Sequence, residues 1–277
     1  MIYFAESNIH ISLPAEAVFH IGPIAVTNTM ILGALGALLM VWGLVYVARS
    51  VASGKKNIFV STVQWLFEFL YKSTVDILSG DKTLARRVAP IAITMFFLVL
   101  TTYWISILPG VGSIKWDGVL IFRGLPADLN FTFALAIITI VASQVFAISR
   151  HGFFGNIGRY IKNPLRDPIS AFEGILELVG EFSRLIALSF RLFGNAFAGE
   201  VLLMVISVLT SYFAAVALPF FMGFELFIGF IQAYVFYVLT VIFTSLAVSV
   251  HGGDHSSSDH SPAAEIKVAQ ELTAAVK

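Results

Sequence analysis

AFEGILELVGEFSRLIALSFRLFGNAFAGEVLLMVISVLTSYF, residues 171–213, and PFFMGFELFIGFIQAYVFYVLTVIFTSLAVSV, residues 219–250, are both apolar and both too long for one upright membrane crossing. As single helices at 1.5 Å per residue, the first, about 43 residues, spans about 64 Å and the second, about 32 residues, about 48 Å. A bilayer's hydrocarbon core is only ~30 Å thick, and ordinary tilts average about 20°, which does not absorb the excess. No proline follows Pro219 within the second stretch, and Gly194, Gly199 and Gly223 or Gly229 are candidate kinks. The two stretches therefore read as a long, steeply tilted helical hairpin that turns within residues 214–219.

The rest of the chain agrees with a membrane setting. Of its 277 residues 58% are hydrophobic and only 12% charged, with 17 basic and 17 acidic side chains. A soluble domain carries about 25% charged residues, and a nucleic-acid binder needs a basic excess, so both classes are excluded. The absence of cysteine excludes disulfides and thiolate chemistry. Three further apolar runs, about 27–48, 88–108 and 129–149, each match one crossing. The fold expected is an all-α polytopic membrane protein of about five membrane helices. Residues 1–26 form an N-terminal segment, 27–250 a single membrane domain and 251–277 a polar tail. With the N-terminus outside, the inner segments hold most of the Lys and Arg (Arg49, Arg86, Arg87, Arg150 and Lys162 among them), whereas the outer segments hold only Lys115 and Arg123. That asymmetry predicts N-out, C-in. Residues 58–78 are apolar but carry Glu68, Lys72 and Asp76, with Glu68 and Lys72 an i,i+4 pair, and read as an interfacial amphipathic helix.

Polar groups inside the hairpin carry the functional reading. A charged side chain at mid-membrane costs at least ~2.5–3.5 kcal/mol, so it persists where it meets water, a partner or a transported ion. Glu173 and Glu181, near the inner surface, are expected to reach out to head groups. Arg191, Glu200 and Glu225 sit well inside apolar runs. At 100° per residue, Arg184, Glu177 and Asn195 lie within about 40° of Arg191 and form one stripe, while Glu200 lies on the opposite face. Glu225 and Gln232, seven apart, share a face of the return helix. With Arg191 set opposite Gln232, both Glu200 and Glu225 fall to its outer side at similar depth. Glu177 and Arg184 fall to its inner side. A guanidinium in the middle repels protons and metal cations, so the arrangement reads as two half-pathways separated by a barrier.

These residues closely resemble a known signature. SFRLFGNAFAGE, ending at Glu200, is similar to the signature helix of subunit a of F-type ATP synthases, and GFIQAYVFYVLTVIFTSLA resembles that family's last helix. Pro126-Ala-Asp-Leu-Asn130 looks like its approach to the third crossing. The second crossing departs from the family: it ends Tyr103-Trp-Ile-Ser-Ile-Leu-Pro109. The resemblance implies a stator facing a rotating ring of proteolipid c subunits and held by peripheral-stalk b subunits, in a bacterial plasma membrane in preference to an organellar one. It implies that Arg191 meets the ring's carboxylate, with Asn195 and Gln232 nearby. It further implies that Glu200 and Glu225 line the outer half-channel, and that Asp128 and Asn130 are outer-side polar positions. Many bacterial members have a histidine in place of one of those glutamates; both are Glu here. Glu177 and Arg184 are expected along the inner pathway. No bond chemistry and no cofactor are expected in this chain.

Two other classes compete. A channel or secondary transporter with a buried Arg–Glu gate usually shows internal repeats, and none is visible. An integral-membrane enzyme needs a catalytic constellation, yet no HExxH pattern or nucleophile elbow occurs and no His lies in a crossing. The tail carries His251, Asp254, His255, Asp259 and His260, but its Gly/Ser-rich setting reads as solvated chain rather than a metal site.

Overall fold

A computed structural model describes residues 16–21, 24–55, 57–112, 115, 116, 119–153, 155, 168–210 and 214–249. A short antiparallel ribbon, β1 (Ala17–Ile21) and β2 (Ile24–Thr27), leads into α1 (Asn28–Ala52), where the Thr27 hydroxyl accepts the Met30 N–H at 3.4 Å. Then follow α2 (Ile58–Ile77) and α3 (Lys82–Ser106). After α3 come β3 (Pro109–Gly112), the small ribbon of β4 (Lys115–Trp116) with β5 (Val119–Leu120), and a single 3-10 turn, Leu125–Ala127. Helices α4 (Leu129–His151), α5 (Pro168–Thr210) and α6 (Ala214–Ser249) complete the described chain.

Five of these helices, all but α2, are long and apolar enough to cross a membrane. The fold is that of a polytopic helical membrane protein. The two ribbons were not signalled by the sequence; they are short and lie in connections at one end of the bundle. Helix α2 carries the charges that set it apart, and its buried residues Val60, Leu70 and Thr74 turn towards the bundle. Its Glu68 accepts from the Gln64 side chain at 3.3 Å rather than pairing with Lys72, so that expected ion pair is not formed.

Helix α3 is the centre. Of its most apolar window 61% is buried, against 22–33% for the other four spanning helices. It packs on α1, α2 and α6, while α4 packs on α5 and α6. Small residues Ala85, Ala89 and Ala92 let backbones approach, and Phe96 stacks edge-on against Phe97, Phe230 and Tyr237. Pro90 interrupts the ladder within α3, and Thr94 takes up the Pro90 carbonyl at 2.7 Å. Deep hydrogen bonds tie the helices: Tyr237 O–H donates to the Leu70 carbonyl at 2.5 Å, and the Thr132 and Ser189 hydroxyls meet at 3.0 Å. Leu38, Trp42, Phe182, Leu209 and Phe220 stay exposed, as expected where the surrounding medium is lipid.

Two boundaries move. The second spanning helix begins at Lys82, not near 88, because Asp81 caps it by accepting the Thr83 and Leu84 N–H groups at 3.0 and 3.1 Å. The expected turn within 214–219 is helix: α6 starts at Ala214, and Pro219 lies in its second turn, where it forfeits a single intrahelical bond. Residues 211–213, the tail from 250 onward and the first 15 residues fall outside the described chain.

The Asp81 cap also joins α3 to α4 through an ion pair with Arg150 at 2.5 Å. Its carboxylate is held below its ordinary 3.8, chiefly by the Leu84 N–H, with Thr83 and Arg150 adding to the effect. A depressed carboxylate contributes stability above its ordinary value and loses it as the pH falls through the folded one. Asp81→Ala is therefore expected to lower the thermal midpoint of the detergent-solubilised protein at pH 7. Below pH 3 the difference should shrink; a difference of the same size there would rule out the ionised cap as its source.

Candidate functional site

Glu200 on α5 and Glu225 on α6 stand side by side where the two long helices pack. Glu225 is 3% exposed, and Tyr103 O–H from α3 donates to its Oε1 at 2.6 Å. Its carboxyl group lies directly against Gly199, the residue before Glu200, so closely that a Cβ there would overlap it. On the next level Gly229 leaves the space that the Tyr103 ring fills. Gly199→Ala is expected to cost about 1–3 kcal/mol through overpacking, read from the thermal midpoint. An unchanged midpoint would mean that the Glu225 carboxyl has room to step aside.

Glu200 is gripped from the opposite side by the connection that precedes α4. Its Oε1 accepts the Gly124 backbone N–H at 3.0 Å, and its Oε2 lies 3.6 Å from Arg123 Nε. Arg123 is buried, at 8% exposure, whereas the Glu200 side chain keeps 29%. That exposure faces a cavity of about 350 Å³, whose lining includes Glu16, Asn28, Ser106, Arg123, Glu200 and Ser207. The Asn28 Oδ1 is buried without a hydrogen-bond partner among the described residues. The rest of the lining is mostly apolar, Phe122, Phe197 and Met204 among it. Buried polar atoms are normally satisfied and water occupies about 30 Å³, so the cavity has room for water beside these polar groups.

Arg191 sits apart from this cluster. It is exposed, on a face it shares with exposed Gly194 and Ala198, and a side chain built at Gly194 would meet nothing within 4 Å. Asn195 and Gln232 are half-buried. Among the described residues neither these two nor Arg191 has a hydrogen bond or ion pair within the chain. An arginine on the apolar face of a spanning helix is costly unless it meets water or a counter-charge.

The chain matches the family model described as ATP synthase A chain over residues 29–245. It belongs to that family. It is also 34% identical to ATP synthase subunit a of Mycobacterium leprae over 174 residues, 62% of this chain and 66% of that one. To the subunit a of Desulforamulus reducens it is 32% identical, covering 70% of this chain and 69% of the other. With that of Enterococcus hirae the identity is 29%, over 84% of this chain and 96% of the relative. As a member of the ATP synthase subunit a family the chain is a multi-pass membrane component of that complex.

The other expected positions fall as follows. Arg184 Nη1 donates to Glu181 at 2.9 Å and its guanidinium lies 5.4 Å from the Phe243 ring centroid. Glu181 therefore does not reach out to head groups as expected: the i,i+3 spacing brings it onto Arg184, and it is buried. Glu177 is half-buried. The cavity at that end, about 160 Å³ and lined by Asp81, Arg87, Ser149 and Arg150 among others, includes neither Glu177 nor Arg184. Asp128 caps α4, accepting the Asn130 N–H at 2.9 Å, and its Oδ2 accepts from the Thr29 hydroxyl at 2.8 Å. Neither Asp128 nor Asn130 lines the cavity beside Glu200. Tyr103, Arg123 and Gly124 were not singled out from sequence. The one available signal was Arg123 itself, a lone cation five residues before Asp128 on a side otherwise nearly bare of Lys and Arg.

Proposed function

We propose that this chain is the proton-translocating stator subunit of a bacterial F-type ATP synthase, without bond chemistry of its own. The observation that carries the reading is Arg191, exposed and unpaired among the described residues on an apolar helix face. A cavity opens onto Glu200, nine residues further along the same helix, and the buried Glu225 lies behind it across the hairpin, against Gly199. That spacing is about 13.5 Å along α5. The cavity serves as the outer half-channel. A proton passes Glu200 and Glu225 to a carboxylate of the ring of c subunits, which then turns into lipid as a neutral group, since a charged one is costly there. On returning it meets Arg191, which favours the ionised form, and the proton leaves past Glu177 and Arg184. Arginine suits this post because it stays protonated. Each charge carried down the field supplies ~2.3 kcal/mol per 100 mV. Peripheral-stalk b subunits hold the chain against the turning ring.

The decisive experiment is affinity purification in mild detergent followed by reconstitution. A proteolipid ring and the stalk subunits should co-purify, and the vesicles should pump protons on ATP addition. Purification of the chain alone, with ion flux retained, would favour a free-standing channel or transporter. Orientation has its own measurement. With the N-terminus outside and the tail in the cytoplasm, a cysteine introduced at Gly110 should react with an impermeant reagent added to intact cells. One at Gly54 should not; the reverse pattern would invert the topology. The chain has no native cysteine to remove.

A further inference from the structure

We infer that Arg123 is a positioning residue of the outer pathway, holding the Glu200 carboxylate at the inner end of the cavity and apart from Glu225. The inference rests on the half-channel reading above and extends it to a residue on another element.

The connection that carries Arg123 is anchored on several sides. Leu125 packs so closely on Gly33 of α1 that a Cβ there would meet its side chain at 2.5 Å. Pro126 and Ala127 are buried, and Asp128 both caps α4 and bonds Thr29 of α1. A segment fixed in this way presents two neighbouring donors, the Gly124 N–H and the Arg123 guanidinium, to the two oxygens of one carboxylate. Gly124 also has to be glycine for that approach, because a Cβ would crowd Glu200 Oε1 and the Ser106 side chain.

Glu225 has a separate holder, Tyr103, on α3. Each carboxyl thus has its own donor from its own direction, although the two belong to facing positions of one hairpin. Two carboxylates free to rotate at this spacing would share protons and partners interchangeably. Held apart, they define an order: Glu200, open to the cavity, is met first, and Glu225, nearly sealed from solvent, second. Arg123 acts through Glu200 and does not itself carry the proton.

The test uses the complete ATP synthase in vesicles, with ATP synthesis expressed per assembled complex. Arg123→Gln should lower the rate about tenfold or more, the scale on which misplacing a reacting group by ~1 Å is felt. Arg123→Lys, which keeps a donor and a charge, should recover at least half of the loss on a logarithmic scale. In a Glu200→Gln background, Arg123→Gln should change the rate less than about twofold, since the pair acts as a unit. A rate within twofold of the unsubstituted enzyme for Arg123→Gln would overturn the inference. So would an equal loss in the Glu200→Gln background, or the absence of the Arg123→Gln chain from the complex, which would mark a purely structural role. Glu200→Gln alone separates the two layers. If it leaves synthesis unchanged, the half-channel reading fails; if it impairs synthesis while Arg123→Gln does not, only the positioning role fails.

Discussion

Arg191→Ala is expected to abolish proton-driven ATP synthesis while leaving the complex assembled. The side chain is exposed on its helix and makes no hydrogen bond or ion pair within the described chain, so its removal breaks no internal contact and opens no core cavity. In the proposed role, what it removes is the compensation for a ring carboxylate that has lost its proton inside the membrane. Leaving a charge unpaired in such a setting costs roughly 3–5 kcal/mol, which corresponds to roughly a hundredfold to several thousandfold in rate. Passive proton leak through the assembled membrane sector should rise at the same time, because the fixed cation no longer separates the two pathways. Arg191→Lys keeps a charge but loses the broad guanidinium fork and its near-permanent protonation, so coupled transport should fall strongly there too. Arg184→Ala provides the contrast: that guanidinium is already neutralised by Glu181 and rests on the Phe243 ring, and its loss should matter much less. Proton flux and ATP synthesis in vesicles decide between these outcomes. Normal synthesis by Arg191→Ala would refute the role proposed for Arg191 and most of the functional reading with it.

The hairpin was legible because its signals are one-dimensional. Apolar length fixes α5 and α6 as spanning helices, and ionisable residues within an apolar run stand out by type alone, which identifies Arg191, Glu200 and Glu225. Helical periodicity places Glu200 away from Arg191, and the structure indeed sends them to different surroundings. Apolar onset places the start of α3 near 88, whereas the cap that sets it, Asp81, is polar and sits about two turns earlier. The partners of the two glutamates were missed for a different reason. Tyr103 and Arg123 lie on other elements, 122 residues from Glu225 and 77 from Glu200, and no periodicity links them to α5 or α6. Gly199 reads in the sequence as a candidate kink; its reason, like that of Gly124, is the close approach of a carboxyl group, which only a tertiary structure reveals. Asp128, an outer-side polar position by resemblance, also caps α4 by accepting the Asn130 N–H, a cap that its local spacing already offers.

Glu225→Gln is expected to slow ATP-driven proton pumping by about a hundredfold, the lower part of the range for losing a positioned proton-transfer group. The change is nearly isosteric, and the amide oxygen still accepts from Tyr103, so the packing against Gly199 and the assembly of the complex should survive. What disappears is the ability of that position to take and release a proton. Glu200→Gln should also slow pumping, but it carries a second effect, because it leaves the buried Arg123 guanidinium without its carboxylate. It should therefore lower the thermal midpoint as well, whereas Glu225→Gln should not. If the two groups act in series on one path, the double replacement should be no slower than the slower single, and multiplying losses would instead indicate independent roles. Pumping is measured as ATP-dependent acidification of vesicles, with ATP hydrolysis by the same complexes as the reference. Wild-type acidification by both single variants would remove Glu200 and Glu225 from the pathway and leave the cavity beside them without a role in proton transfer.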